Sequence, residues 1–190
     1  MGWFQQYLDA IKSNNKRQVL DILDNSLEFS SPGGHLQVCA LLKNDDDIKH
    51  TTWRYWLDVR DDPWWIEHAN NRLIAKIETV LDIDPHTNEP EADFLNRITQ
   101  IELQSLLPRR IGDHPIGTFS TGSRGIHIHI FRPHYATQPD DMIRIMKMKD
   151  ILDAGADTAK ATLRSMIACE LAPHWKTGRP KILLRGGNHD

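Results

Sequence analysis

The chain has 190 residues, of which 39% are hydrophobic and 26% charged, proportions typical of a single soluble globular domain. Its net charge of −3 excludes a protein that binds nucleic acid over its whole surface, so any such binding needs a local basic patch. Cys39 and Cys169 share no metal-ligand spacing and predict buried free thiols. We find no membrane-spanning apolar run and no signal peptide, and therefore expect a cytoplasmic protein.

The first third of the chain predicts helices interrupted by two short strands. Apolar residues at helical spacing predict a helical region over 3–23, and apolar runs predict strands over 36–42 and 51–59. Asp62 followed by Pro63 is typical of a helix start, which predicts a helix through the sequence DDPWWIEHANNRLIAKI.

The remaining two thirds mix strand and helix patterns without a repeat or a linker. In chain order these are a strand over 79–85, a helix over 89–107, a strand over 118–131, a helix over 138–152, a helical pattern through Ala159, Leu163, Ile167 and Leu171, and a final apolar run over 181–187. This irregular order favours a single α+β or α/β domain.

The sequence VLDIDP (80–85) carries two aspartates on one face of a predicted strand. Asp82 and Asp84 alternate with Leu81 and Ile83, so the two carboxylates point the same way and repel each other. A pair of divalent cations about 4 Å apart would relieve that repulsion, and hard oxygen ligands favour Mg²⁺ or Mn²⁺. The plain alternative is a solvent-facing strand end.

The sequence STGSRGIHIHI (120–130) joins a glycine-rich polar turn to an alternating strand. The glycines can free the backbone for an anion-binding nest, and the other polar residues add donors suited to a triphosphate. The predicted nucleotide-binding residues are Thr121, Gly122, Ser123, Arg124, Gly125 and His127. His127 and His129 point away from the isoleucines, and we expect that face to be exposed. The alternative is a hairpin turn with a half-buried histidine pair.

Together, the two motifs resemble those of the archaeo-eukaryotic primase superfamily. Its first motif is hydrophobic-Asp-hydrophobic-Asp, here VLDIDP, and its second has the form SGxRGxH, here TGSRGIH. The resemblance covers about 78–152. It implies an α+β catalytic core built on an RNA-recognition-motif-like sheet, here with a helical N-terminal region. It also implies two Mg²⁺ or Mn²⁺ ions on Asp82 and Asp84, with the nucleotide's phosphates on the second motif.

The function implied by this resemblance is that of a DNA primase-polymerase, a nucleotidyltransferase that makes or extends primers from NTPs or dNTPs. Its partners would be a single-stranded DNA template and a primer, with a helicase or a large primase subunit and no membrane. We expect one catalytic domain over 1–190, with an N-terminal subregion over 1–60 and the motif-bearing core over 61–190. We also expect it to be cut from or paired with a larger protein, and to be nucleoid-associated.

A third acidic metal ligand is expected, because two aspartates supply too few anionic oxygens for two divalent ions. The family usually places this acid on a later strand, and the sequence has no clear match there. Glu170 is our predicted third metal ligand, although it falls in a helical pattern. Its rivals are Asp153, Asp157 and Asp190. The chain also lacks the cysteines of the zinc element that many primase subunits carry.

Two other functions remain open from the sequence. The His-hydrophobic-His pair of His127 and His129 is typical of rolling-circle replication nucleases, in which Tyr135 would be the nucleophile. A non-catalytic module that binds nucleotides or single strands is the other. Aromatic residues could stack template bases, although core packing is the simpler interpretation for Trp53, Tyr55, Trp56, Trp64 and Trp65. A local basic surface could come from 108–110, Lys176, Arg179, Lys181 and Arg185.

Overall fold

A computed structural model describes residues 2–43, 49–106, 115–131, 155, 157 and 165–188. The helices are α1 (Gly2–Lys12), α2 (Lys16–Ser26), α3 (Trp56–Val59), α4 (Pro63–His68) and α5 (Glu91–Leu106). The strands are β1 (Gln37–Lys43), β2 (Lys49–Tyr55), β3 (Asn71–Leu73), β4 (Glu78–Ile83), β5 (Pro115–Ser120), β6 (Ile126–Phe131), β7 (Met166–Ala168) and β8 (Ile182–Asn188).

The described strands form two antiparallel sheets. The first sheet has the order β2-β1-β3-β7, and the second has the order β4-β6-β5-β8. The chain passes from the first sheet to the second between β3 and β4, returns to the first sheet with β7, and ends in the second with β8. This arrangement confirms the α+β class. Within the described residues, no helix is long and apolar enough to span a membrane.

Several predicted elements are wrong in extent. The helical region over 3–23 is two helices, since Asn15 breaks it and caps α2 by accepting a hydrogen bond from the Gln18 N–H. The strand predicted over 51–59 turns into α3, where Trp56 is fully buried. The helix predicted to follow Pro63 ends at His68, and β3 comes next. Tertiary packing decides these ends, which local spacing does not encode.

Two further predictions fail in the second half. The strand predicted over 118–131 is the β5–β6 hairpin, folded at the glycine turn. The end of the helical pattern through Ala159 and Leu171 is strand β7, which pairs with β3. The helix predicted over 138–152 lies outside the described residues.

The second sheet has one apolar and one polar face. Helix α5 covers the apolar face with Phe94, Ile98 and Ile101, which pack against isoleucines of β5 and β6. The other face carries the histidines of β6 and the acidic residues of β4, and its inner part is covered by α1 and the first sheet. The alternation predicted for β6 is therefore present, and α5 explains its apolar side.

The main core lies between the N-terminal helices and the first sheet. Phe4, Tyr7 and Phe131 stack and pack edge-on there, with ring centroids 5.7–6.0 Å apart. Trp56 and Trp65 are buried in the same core, which confirms core packing for these two. Both cysteines are free and buried, as predicted, and burial raises the pKa of each thiol to about 12.

Candidate functional site

The pairing of β4 with β6 brings the two sequence motifs together. The antiparallel register sets Asp82 opposite His127 and Val80 opposite His129. Nε2 of His127 lies 3.3 Å from Oδ1 of Asp82. His127 is buried at 5% exposure, so the prediction that the histidine face is exposed is wrong. Asp82, which lies beside it, is half-buried, and its side chain is partly exposed to solvent.

Asp84 follows the end of β4 and lies directly against the glycine turn. A Cβ atom at Gly125 would come within 2.5 Å of Oδ1 of Asp84, so only glycine permits this approach. Burial raises the pKa of the Asp84 carboxyl, and the nearby charges of Asp82 and Asp157 raise it further. The Asp84 carboxylate is therefore repelled by the carboxylates of Asp82 and Asp157.

Asp157 reaches this site from a later part of the chain. Its backbone N–H donates a hydrogen bond to the carbonyl oxygen of Asp82 (2.7 Å). Gly155 lies nearby, where an added Cβ would come within 3.1 Å of Nη1 of Arg97. Arg97 also donates to the carbonyl oxygen of Asp84 (2.9 Å). The backbone of Asp157 thus contacts the strand that carries Asp82, and its charge acts on Asp84. We call Asp82, Asp84, Asp157 and His127 the rim site.

The glycine turn is held by its own polar groups. The N–H and the hydroxyl of Thr121 both donate to the carbonyl oxygen of Gly125, at 3.1 and 3.0 Å. The N–H groups of Gly122 and Ser123 reach the hydroxyls of Ser120 and Thr121 at 3.4 and 3.3 Å, which are long hydrogen bonds. Thr121 is buried, so it shapes the turn in this conformation.

The exposed part of the turn consists of Ser123 and Arg124. Both side chains lie on the surface next to the rim site, because Gly125 follows them directly and contacts Asp84. Gly122 has a φ of +79°, a conformation that favours glycine. The structure therefore places the predicted nucleotide-binding residues around one turn, with Ser123 and Arg124 outward and Thr121 inward.

A second polar group lies deeper on the same face of the second sheet. Its members are fully buried and come from both sheets and the segments that follow them; they are Arg72, Glu78, His129, Glu170 and Lys181. We call this set the buried network. Arg72 donates to Glu78 through Nη1 and Nη2 (2.8 and 2.7 Å) and to Glu170 through Nε and Nη2 (3.0 and 2.8 Å).

His129 and Lys181 complete the buried network. Nδ1 of His129 lies 2.6 Å from Oε1 of Glu78, and Nζ of Lys181 lies 2.9 Å from Nε2 of His129. Because the ammonium of Lys181 donates to Nε2, the proton of the neutral imidazole lies on Nδ1 and is donated to Glu78. Lys181 also donates to the carbonyl oxygen of Ala168 (2.8 Å). Two cations and two carboxylates thus balance one another around a neutral histidine.

The pKa values of the buried network reflect these contacts. Burial alone would raise the pKa of Glu78 and Glu170, but Arg72 outweighs it and holds both values well below the usual range. Burial, and then the charge of Lys181, lower the pKa of His129 to about 3. Burial lowers the pKa of Lys181 to about 8, against the attraction of Glu170. His129 is therefore neutral at pH 7, and both glutamates are ionised.

Ligand atoms of Glu78, His129 and Glu170 all lie within 4.8 Å of one another, and such a group could hold a metal ion. Nη2 of Arg72, however, contacts all three residues, at 2.7 Å from Glu78, 2.8 Å from Glu170 and 3.5 Å from His129. A guanidinium already fills the space between the ligand atoms. A metal ion would have to displace it.

Glu170, our predicted third metal ligand, is not brought to Asp82 and Asp84. Its carboxylate is fully buried and accepts from Arg72, with Lys181 3.7 Å away. Its rival Asp157 does contact the aspartate pair, through a backbone hydrogen bond to Asp82. Asp153, Asp190, Tyr135 and 108–110 lie outside the described residues. No role was predicted for Arg72 or Glu78 from the sequence, although charged residues inside apolar runs such as NRLIAKIETVL signal buried ion pairs. Lys181, which we expected on a basic surface, is fully buried instead.

Comparison of the chain with protein-family models, with curated proteins and with solved structures found no match.

Proposed function

We propose that this protein is a metal-dependent nucleotidyltransferase of the primase-polymerase type, with its catalytic centre at the rim site. The observation that supports this most strongly is that the two motifs come together: Asp82 lies 3.3 Å from His127, and Asp84 lies against Gly125 of the glycine turn. The polar face of the second sheet would be the catalytic face of an RNA-recognition-motif-like core. The substrates would be NTPs or dNTPs and a single-stranded DNA template with its primer.

The oxygen donors at the rim are of the chemical type that suits Mg²⁺ or Mn²⁺. Carboxylate oxygens are the hard ligands that these ions prefer. Burial raises the pKa of Asp84, and the charges of Asp82 and Asp157 raise it further. Asp82, Asp84 and Asp157 would hold the ions. When bound, the ions would lower the pKa of the attacking 3′-hydroxyl and neutralise the triphosphate and the leaving pyrophosphate.

The protein's own residues would position the nucleotide. Arg124 offers a bidentate fork and Ser123 a hydroxyl, both exposed on the turn next to Asp84. His127, held against Asp82, would donate to a phosphate oxygen. Gly122 and Gly125 keep the turn close enough to the carboxylates for these donors to act together. In phosphoryl transfer, such positioning and charge neutralisation supply most of the rate.

The geometry disfavours a rolling-circle nuclease. That chemistry needs both histidines on a metal, whereas both ring nitrogens of His129 are engaged, Nδ1 by Glu78 and Nε2 by Lys181. Only His127 lies at the rim. We therefore keep the nuclease and the non-catalytic binding module as outcomes that the following experiment would reveal.

The test is incorporation of labelled dNTPs or NTPs on primed and unprimed single-stranded DNA with Mn²⁺ or Mg²⁺. The wild type should extend a primer, and Asp82→Asn and Asp84→Asn should each lose about 10³-fold or more, since each ion contributes several kcal/mol. Asp157→Asn should fall by at least about tenfold. Asp58→Asn, which removes an exposed carboxylate from α3, is the matched control and should keep full activity.

Three results would contradict this proposal. Full primer extension by Asp82→Asn would show that the catalytic metal site does not lie at the rim. A covalent adduct between Tyr135 and DNA would indicate the nuclease instead. Binding of nucleotide and DNA by a wild-type protein that incorporates nothing under any of these conditions would indicate the non-catalytic module.

A further inference from the structure

The segment 173–180, with the sequence PHWKTGRP, forms a tight loop between two prolines. Pro173 and Pro180 are bridged as antiparallel partners. The N–H of His174 donates to the carbonyl oxygen of Arg179, and the N–H of Gly178 donates to that of His174, both at 2.8 Å. We call this segment the PHWKTGRP loop. Its backbone is closed on itself, so the positions from which its side chains project are fixed relative to one another.

The PHWKTGRP loop is in direct backbone contact with the glycine turn of the rim site. The hydroxyl of Thr177 donates to the carbonyl oxygen of Gly122 (2.6 Å). A Cβ atom at Gly122 would come within 2.2 Å of the carbonyl oxygen of Arg179, so no side chain fits between them. The turn thus contacts the loop through Gly122 and the carboxylates through Gly125. The two segments make one continuous surface.

This surface carries three exposed cations. Arg124 lies on the turn, and Lys176 and Arg179 lie on the loop. Among the described residues, no carboxylate forms an ion pair with any of the three. In a chain with a net charge of −3, such a concentration of unneutralised positive charge fits an anionic partner.

An aromatic ring accompanies the cations on the loop. Trp175 is half-buried, and Nζ of Lys176 lies 4.8 Å from the centre of its ring. The ring of His174 is stacked beside it, with centroids 6.2 Å apart. Proteins bind single-stranded nucleic acid with cations that pair with the phosphates and aromatic rings on which the bases stack. The PHWKTGRP loop carries both kinds of group.

We propose that the PHWKTGRP loop binds a single-stranded polynucleotide, with phosphates on Lys176 and Arg179 and a base on Trp175. A nucleoside triphosphate shares this chemistry, but in the proposed function its phosphates bind at the carboxylates, which contact the glycine turn through Gly125. The experiment therefore measures binding of DNA and of Mn²⁺-dNTP separately. The role of the strand as template or primer rests on the proposed function, whereas its binding does not.

The test is fluorescence anisotropy of a labelled mixed-sequence DNA 16-mer, measured in EDTA without nucleotide. Lys176→Ala/Arg179→Ala should weaken binding by about tenfold and flatten the plot of log affinity against log salt by about 1.4, the value for two phosphate contacts on a single strand. Trp175→Ala should weaken binding by about 5-fold or more through lost stacking. Binding of Mn²⁺-dNTP should stay within about 2-fold in the double variant.

The matched control is Arg54→Ala/Arg60→Ala, which removes the same charge near β2, at the opposite edge of the first sheet from β7. It should leave the salt slope unchanged. Lys176→Arg/Arg179→Lys should restore most of the affinity and so exclude a folding defect. The proposal is overturned if the double alanine variant binds DNA like the wild type, or if it loses Mn²⁺-dNTP binding instead. A wild type that binds DNA without extending a primer would contradict the proposed function alone.

Discussion

The polar face of the second sheet carries two acid–histidine groups that differ in which charges surround them. At the rim, Asp82 faces His127, and at the buried end, Glu78 contacts His129. The two histidines are two residues apart on β6, with ring centroids separated by 6.0 Å. The same strands therefore build both groups, and the difference between them comes from what other segments add.

Arg72 on β3 and Lys181, which directly precedes β8, add cations to the buried group. Arg72 and Lys181 hold the pKa of Glu170 low. At the rim, burial raises the pKa of Asp84, and the charges of Asp82 and of Asp157, from the later segment, raise it further. Buried carboxylates with fixed cations are satisfied and hold the structure together, whereas carboxylates gathered with one another can bind a cation from solution. This contrast is why we assign catalysis to the rim and a structural role to the buried network.

The largest expected effect is a loss of stability when the buried network is disrupted. Arg72→Met should lower the free energy of unfolding by about 3–5 kcal/mol, because it leaves Glu78 and Glu170 buried without their main cation. Arg72→Lys should rescue only part of this loss, since an ammonium cannot serve both carboxylates with a planar fork. Urea denaturation measures both.

The control for Arg72 is Arg124→Met, which removes an exposed guanidinium and should change stability by less than about 0.5 kcal/mol. A loss of under about 1 kcal/mol in Arg72→Met would show that the buried network does not join the two sheets.

The next effect is a dependence of stability on pH that arises from His129. Its pKa in the folded protein is about 3, against an ordinary value of 6.5, so below pH 6.5 the unfolded chain binds a proton that the folded chain does not. Stability should therefore fall as the pH drops from about 6.5 toward 3. The depressed pKa values of Glu78 and Glu170 add to this fall below about pH 4.5.

His129→Gln removes the titrating ring, so its melting temperature should vary less than that of the wild type between pH 6.5 and 4.5. The partly exposed His174, whose pKa is lowered by partial burial and by Lys176, gives a control. His174→Gln should follow the wild-type curve closely. Parallel curves for wild type and His129→Gln would mean that His129 is not held neutral by the buried network.

The smallest effect is on the rim side. In metal-free protein at pH 7, Asp84→Asn should leave stability unchanged or raise it by up to about 0.5 kcal/mol, because it relieves repulsion from Asp82 and Asp157. Thermal melts in EDTA and in Mn²⁺ measure this. Mn²⁺ should raise the melting temperature of the wild type more than that of the variant. Destabilisation of the metal-free variant would indicate that Asp84 has a structural partner.

The sequence predicted the rim better than the buried network, for physical reasons. Alternation along a strand sets Asp82 and Asp84 on one face, and glycines mark the turn, so both features follow from residues close together in the chain. Arg72 and Glu170, in contrast, are 98 residues apart, and their contact depends on the pairing of β3 with β7. Spacing contains no signal for such a pair.

The surroundings of Glu170 and His129 could not be predicted, for the same reason. Leu171 completes a helical apolar pattern with Ala159, so the three-residue strand before Glu170 could not be seen in the sequence. His129 looked solvent-facing because alternation separates two faces without saying what covers them. In the structure, the first sheet and Lys181 cover the His129 side chain, and only the tertiary fold brings them to it. Asp157, one of the rival acids, makes a backbone contact with Asp82 that no pattern predicts.

The most direct test of the contrast between the two groups is a titration with Mn²⁺, followed by electron paramagnetic resonance of the free ion. Wild type, Asp82→Asn and His129→Gln should be compared at the same pH and ionic strength. We expect Asp82→Asn to lose at least about tenfold in Mn²⁺ affinity and His129→Gln to stay within about twofold of the wild type. The opposite result, with affinity lost in His129→Gln and kept in Asp82→Asn, would place the metal in the buried network and contradict the assignment of catalysis to the rim.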